Sequence, residues 1–528
     1  MRNADNHFPL RDRLSFLWLA IGTGILLFAN GLAIVPVAAW IGPVFMVRFL
    51  RTQKAWLGLL VGYLANAIVF YVQWNAAFQD AGAMFTLYTA AFGLLVYVPY
   101  VVDRLLAPHV RGFARTLILP TAWVVMEYVL HIVLPLGTFF NVGYTQSANL
   151  PLLQIISVTG VWSISFLVAW VATVVNFAWE AGFDFRAAGR GVAACAVVLL
   201  GVMAFGGLRL ALGRPAGSTV QVAILTTNVD GEPLPDAETM GWQHLVKGML
   251  TAEERQQIAA KMEEINDDLL SRTRIQARAG ARIVTWSEFN AQTFSDGETR
   301  FLDRARQVAR EERIYLVFPF EVTEPDMNRR ADPAVFMINK SVMITPQGDI
   351  AYQYVKHNLL IGPESETTLR GPRVIDVIDT PYGRLSSVIC LDMEYPAFMR
   401  LAGKQGVDIM LSGAIDGTTS SKGNPLHSIM ASYRTIEEGF SLGRAGFYGQ
   451  NEAVDYQGRL LGAANHFTAG DRTVVAHLPI KGSRTLYSRL GDFFPLLCAA
   501  GLAALLVMGI GAWVRRKRPG VAGAARRQ

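Results

Sequence analysis

The stretch Arg384-Leu385-Ser386-Ser387-Val388-Ile389-Cys390-Leu391-Asp392-Met393-Glu394-Tyr395-Pro396 runs mostly apolar up to Cys390, then turns acidic towards a proline. A run of this length closed by turn residues predicts a buried strand with a thiol at its carboxyl end. Enzymes built on a buried sheet often place a nucleophile there. A lone free cysteine is more commonly an inert core residue, so the rest of the chain decides between the two.

Working outward, two more strands end on reactive groups. Ile283-Val284-Thr285-Trp286-Ser287-Glu288 closes an apolar run on a carboxylate, and a hairpin turning at Pro346-Gln347-Gly348-Asp349 ends in Tyr354-Val355-Lys356. If the three strand ends converge, the carboxylate takes the thiol proton, the thiolate attacks a carbonyl, and the ammonium stabilises the oxyanion. A lysine beside a thiol also favours the thiolate. Taken singly, Glu288 and Lys356 read better as solvated strand ends.

These strands belong to a region, about 219–480, of ordinary charge. It alternates strands (219–229, 282–288, 314–322, 335–345, 350–356, 374–377, 384–391, 407–411, 441–447, 452–456 and 473–478) with helices at 252–279, 300–312, 396–404 and 426–438. Alternation with antiparallel hairpins predicts a layered α/β sandwich. Gly-rich phosphate loops, HExxH motifs and internal repeats are absent from the sequence. Cys390 is the only thiol of this region, since Cys195 and Cys498 fall in apolar runs. A disulfide within it and a cysteine-based zinc cluster are therefore excluded.

The flanks are different. The 528 residues are 52% hydrophobic and 17% charged, with a mean hydropathy of +0.29. The apolar excess concentrates in the first 212 residues and in 491–514. Membrane spans are predicted at 14–29, 32–50, 55–75, 84–102, 113–134, 155–178, 189–211 and 491–514, near the roughly 20 residues a bilayer requires. Arg2, Arg11 and Arg13, then Arg48, Arg51 and Lys54, then Arg104, Arg111 and Arg115, then Arg186 and Arg190 fall on alternate connections. By the positive-inside rule both termini are cytoplasmic and the polar region lies outside. The net charge of +6 equals the tail's Arg515, Arg516, Lys517, Arg518, Arg526 and Arg527, which reads as a membrane anchor rather than a nucleic-acid site. Glu127 sits inside a predicted span, where a carboxylate needs a partner; a structural hydrogen bond to a neighbouring helix is expected.

Together the three strand ends resemble the nitrilase superfamily, whose members use a Glu-Lys-Cys triad on an α-β-β-α sandwich. The apolar flanks narrow the resemblance to the apolipoprotein N-acyltransferase family. It is carried by Trp123 and Glu127, by Asn141-Val142-Gly143-Tyr144-Thr145-Gln146 and Thr159-Gly160-Val161-Trp162-Ser163, by Trp286-Ser287-Glu288, Tyr354-Val355-Lys356-His357, Gly362-Pro363-Glu364 and Val388-Ile389-Cys390-Leu391-Asp392, and by Asp455-Tyr456-Gln457-Gly458. The resemblance implies a multi-pass helical membrane bundle of seven spans over 1–212, a periplasmic nitrilase-like domain over 213–487, and a last span with a cytoplasmic tail over 488–528. It implies Glu288 as base, Lys356 as oxyanion stabiliser and Cys390 as nucleophile, with Glu364 as an additional active-site glutamate. Leu391 would give a second oxyanion donor through its amide, and Asp392 stands where the family usually has glutamate. The implied reaction, in the bacterial inner membrane and without metal or organic cofactor, moves an acyl chain from a phospholipid through a Cys390 thioester to the diacylglyceryl-cysteine of a lipoprotein. Ser412-Gly413-Ala414-Ile415-Asp416-Gly417 replaces the family's Trp-Phe pair, and Asp230–Leu250 shows no clear Lys-Trp arm. A membrane-anchored amidase, or an acyltransferase for another amine, is the alternative. His427 is expected to play a structural role at a helix start.

Overall fold

The computed structural model describes residues 10, 12–31, 34–74, 82–213, 217–235, 239–417 and 425–517. The chain divides into two compact units, one of 1–133, 140–208 and 492–528, the other of 134–139 and 209–491. Arg2, Arg11, Arg518, Arg526 and Arg527, used above for orientation, lie outside the described residues.

The first unit is helical. Six helices among the described residues are long and apolar enough to cross a membrane, at Ala55–Trp74, Thr86–Leu106, Gly112–Val133, Trp162–Glu180, Arg186–Leu212 and Phe493–Arg515. The first two expected spans are shorter, a 12-residue helix Ser15–Leu26 and a 17-residue helix Pro36–Thr52. They cross where both backbones are bare: a Cβ on Gly22 would meet that of Phe45 at 2.8 Å, and one on Gly42 would meet the Leu26 side chain at 2.7 Å. Small residues at such crossings let helices in lipid gain van der Waals contact. The expected span 155–178 instead starts at Trp162, because Gly160 at φ +69° ends a short helical turn before it.

Several buried charged groups in this unit are paired. Arg51 bonds Asp103 at 2.7 Å and Glu180 at 3.0 Å, and Arg115 also reaches Glu180. Glu127 accepts from Trp123 Nε1 at 3.0 Å, Asn141 Nδ2 at 2.6 Å and the Val142 amide at 2.9 Å. Its partners are thus its own helix, the turn at 141–142 and Ser165 of the neighbouring helix Trp162–Glu180, the last being the helix-to-helix bond expected from the sequence.

The second unit is an α-β-β-α sandwich. One sheet contains β1 (Thr219–Leu225), β2 (Ile283–Trp286), β3 (Ala291–Phe294), β4 (Tyr315–Thr323), β5 (Met337–Ile344), β6 (Ile350–Val355) and β13 (Thr473–Pro479) in the order β13-β1-β2-β4-β5-β6, with β3 on β4. The other contains β7 (Val377–Thr380), β8 (Gly383–Ile389), β9 (Ile409–Ile415), β10 (Ser441–Phe447), β11 (Gln450–Val454) and β12 (Leu460–Asn465) in the order β12-β11-β10-β9-β8-β7. β3 and β12 were not expected from the sequence, and β7 falls three residues later than anticipated.

Strand alternation distributes the core. Val220, Val222 and Ile224 of β1 join Ile283 and Val317 against Leu385, Ile409 and Leu411, filling the space between the sheets. Ala223 and Leu225 point the other way, into a core with Leu269 of helix Ala252–Arg278 and Ala305 of helix Glu298–Glu312. Val388 and Met410 meet Phe398, Met399 and Ala402 of helix Pro396–Gln405 and Ala431 of helix Pro425–Glu438. β1-β2-β4 and β8-β9-β10 are parallel, so the carboxyl ends of these strands share one edge, where open α/β sheets place their sites.

Candidate active site

Glu288 stands two residues past β2, Lys356 follows β6, and Cys390 follows β8. The structure brings them together. Lys356 Nζ bonds Glu288 Oε1 at 2.8 Å and Glu364 Oε1 at 2.6 Å, with Glu288 fully buried and Lys356 nearly so. Cys390 Sγ lies 3.7 Å from the carbonyl oxygen of Ile415, whose own amide donates to Glu288 Oε2 at 3.1 Å. Asn339 Nδ2 donates to Glu288 Oε1 at 2.7 Å. The carboxylate is thus held on both oxygens while its neighbourhood includes the thiol.

The backbone is bent to make this possible. Cys390 adopts φ +47° and Phe289, just past Glu288, φ +60°. A left-handed conformation at a residue carrying a side chain costs on the order of 1–3 kcal/mol and persists where the surroundings impose it. At Cys390 it breaks the strand sharply and lifts the thiol from the sheet into the turn Cys390–Glu394, where it keeps partial solvent access.

Asp392 fixes that turn. It accepts from Tyr354 Oη at 2.7 Å, from the amide and side chain of Asn358, both at 2.9 Å, and from the Ile389 amide at 3.1 Å. These bonds tie the end of β8 to the end of β6, and hence Cys390 to Lys356. Glu364 is placed by the Leu360 amide at 2.7 Å. The turn is also held by 134–139: the Thr138 amide and hydroxyl both donate to Glu394 O, at 3.2 and 3.1 Å. His427 bonds the Glu394 carboxylate and lies under the Phe139 ring at 5.5 Å. These contacts link the start of helix Pro425–Glu438 to the turn.

The residues 412–417, which depart from the expected Trp-Phe pattern, contribute backbone. A Cβ on Gly413 would come within 2.4 Å of Pro319, 2.6 Å of Trp286 O and 2.8 Å of Glu288 N. Only glycine lets β9 approach closely enough for Ile415 to bond Glu288. Asp416 pairs with the buried Arg444.

Electrostatics set the protonation states. Burial raises Glu288 above the usual carboxylate range; the Lys356 charge pulls it back, and Glu364 pushes it up again. Burial alone would lower Lys356, but the Glu288 and Glu364 carboxylates outweigh it and hold the ammonium well above its ordinary value. Burial and the Glu288 charge raise the Cys390 thiol well above its ordinary value, and Lys356 only partly opposes them. Lys356 favours the thiolate, as expected, but does not outweigh burial and the Glu288 charge, which suits a thiol whose proton is taken by a base.

Asn339, the Ile415 amide and the positive φ angles had no signature in the sequence. Asparagine in a strand fits no catalytic motif, and a backbone donor has no residue identity to read.

Comparison with known proteins finds the same two-part division. Residues 16–174 match the family model described as Apolipoprotein N-acyltransferase N-terminal domain, and residues 237–486 match Carbon-nitrogen hydrolase. A protein named Apolipoprotein N-acyltransferase from Geobacter metallireducens is 25% identical over 419 residues, covering 75% of each chain. One of the same name from Bradyrhizobium diazoefficiens is 26% identical over 493 residues, covering 86% of this chain and 84% of that one. Among solved structures, an amidase from Nesterenkonia sp. superposes with a TM-score of 0.38 at 19% identity, covering 50% of this chain and 92% of that one.

Proposed function

We infer, since this chain belongs to the apolipoprotein N-acyltransferase family of the nitrilase superfamily, that it transfers an acyl chain from a phospholipid to the diacylglyceryl-cysteine at the amino terminus of a lipoprotein. The observation that carries the mechanism is the Glu288-Lys356-Glu364 cluster beside Cys390.

In the first half-reaction Glu288 takes the thiol proton as sulfur attacks the phospholipid ester carbonyl. The oxyanion that forms is stabilised by Lys356 Nζ and by the amide of Leu391. Cleavage of the C–O bond, with the proton returned by Glu288 to the glycerol oxygen, leaves a lysophospholipid and a thioester on Cys390. In the second half the α-amine of the acceptor attacks the thioester and gives a proton to Glu288. The C–S bond breaks, an amide is released, and the sulfur regains its proton. Glu288 thus serves as base and acid in turn. Glu364 keeps Lys356 charged and directed at the site throughout.

The first unit supports this reading physically: both substrates are lipids, and the chain supplies helices of membrane length. The site is proposed to face the outer side of the inner membrane. Complementation tests the function. A bacterial strain depleted of its own lipoprotein N-acyltransferase should grow when this chain is expressed in its membrane, and its lipoproteins should regain a third acyl chain. Expression at normal membrane levels without restored N-acylation would contradict the proposal.

A further inference from the structure

β3 pairs with β4 and β4 with β5 in a register that sets Gln292, Glu321 and Asn339 abreast. Their neighbours in sequence, Ala291, Phe320, Val322 and Ile338, belong to the core on the helix side of the sheet. The three polar side chains therefore point to the opposite face, where Asn339 reaches Glu288. Each of the three residues is 1% exposed.

Each amide spends one N–H on a partner outside the row. Gln292 Nε2 donates to Phe289 O at 2.6 Å, and Asn339 Nδ2 donates to Glu288. Gln292 Oε1, Asn339 Oδ1 and both oxygens of Glu321 are left without a hydrogen-bond partner. Four buried acceptors that receive no hydrogen bond are expensive inside a protein. One hydrogen on the Glu321 carboxyl supplies the missing donor, because its register neighbours present an amide oxygen on either side. Burial drives Glu321 towards that acid form, as do the charges facing it: Glu288, Glu364 and Glu232 on one side of the balance, Lys356 alone on the other.

We propose that Glu321 is a positioning residue for Glu288, its acid hydrogen engaging Asn339 Oδ1 and so keeping Asn339 Nδ2 turned to the base. An asparagine side chain can reverse by half a turn, and reversed it would present an oxygen to the Glu288 carboxylate. Glu321 removes that alternative by supplying a donor to the amide oxygen. The donation from Asn339 favours ionised Glu288 against the burial that opposes it. The proposal rests on Glu288 being the base in the function proposed above.

The test uses the full-length protein and iodoacetamide, which reads the Glu288–Cys390 pair without a lipid substrate. Alkylation of Cys390 is followed by mass spectrometry across pH. With Glu321→Leu, the acid limb of the alkylation profile should move up by about one pH unit, a roughly tenfold lower rate at the foot of the limb. Glu321→Gln carries an N–H donor in nearly the same shape and should return the limb to its wild-type position. A folded Glu321→Leu with an unmoved limb would overturn the proposal. So would a downward shift in Glu321→Gln, the signature of a negative charge removed from beside the base. If Glu321→Leu fails to fold, the direction seen with Glu321→Gln still decides. A lack of lipid transfer with an intact Glu321 effect would sink the transfer reading alone; the reverse result would sink this one alone.

Discussion

Lys356 is the residue on which the site's charge balance turns. It is the only ammonium among the site residues, where Glu288 and Glu364 converge, and it is nearly inaccessible to solvent. Removing one partner of a buried ion pair leaves the other charge uncompensated, at about 3–5 kcal/mol. Lys356→Met is therefore expected to lower the thermal stability of the purified protein and to cut acyl transfer by about 100–1,000-fold, the usual worth of an oxyanion donor. Retained stability would mean that the two carboxyl groups are already neutral. Glu288 gives a pH dependence whose sign is fixed. Only its ionised form takes the thiol proton, and burial raises it. The transfer rate should therefore climb with pH along a limb centred above the ordinary glutamate value of about 4.3. Glu288→Gln should remove that limb and about 100–10,000-fold of the rate. The reactive groups were legible in the sequence because each is a chemically distinctive side chain placed just past an apolar run. Asn339 and Glu321 were not, because a polar residue in mid-strand reveals its purpose only when register shows what stands beside it.

At the scale of elements, β9 links the sequence departure at 412–417 to the chemistry. The altered side chains stand where the family has a Trp-Phe pair, yet the part of this segment that reaches Glu288 and Cys390 is the Ile415 peptide. Gly413 lets it do so, and the reason is steric. Gly413→Val would drive β9 off Trp286 O and Glu288 N, with overpacking on the order of 1–3 kcal/mol. Its expected result is a lower melting temperature together with weaker Cys390 alkylation near neutral pH. A stable, fully reactive Gly413→Val protein would refute the close-approach argument. The Asp392 turn is a second such element. Asp392→Ala deletes the acceptor for four donors at the ends of β6 and β8 and should cost stability as well as activity. Most strands were readable from their apolar alternation. β3 escaped because it is four residues long and starts only three after Glu288, and the start of helix Trp162–Glu180 was misjudged because the apolar run continues across the break at Gly160.

On the scale of the whole molecule, the division into helical and sandwich units follows directly from where charge is scarce. Orientation in the membrane is the proposal that remains, and it rests on the alternation of basic connections. Asp379 lies in the second unit with its side chain 84% exposed, so Asp379→Cys offers a reporter. A membrane-impermeant maleimide should label it in cells whose outer membrane has been opened and whose inner membrane is intact. Labelling only after the inner membrane is lysed would reverse the assigned topology. The most direct measurement of the account as a whole is the covalent intermediate itself. Incubated with a phospholipid labelled in its acyl chain, the purified protein should acquire label on Cys390 that hydroxylamine releases, that Cys390→Ala never forms, and that passes to the amine of an added diacylglyceryl-cysteine peptide. Label that is absent, attached elsewhere, or unable to reach the amine would contradict it.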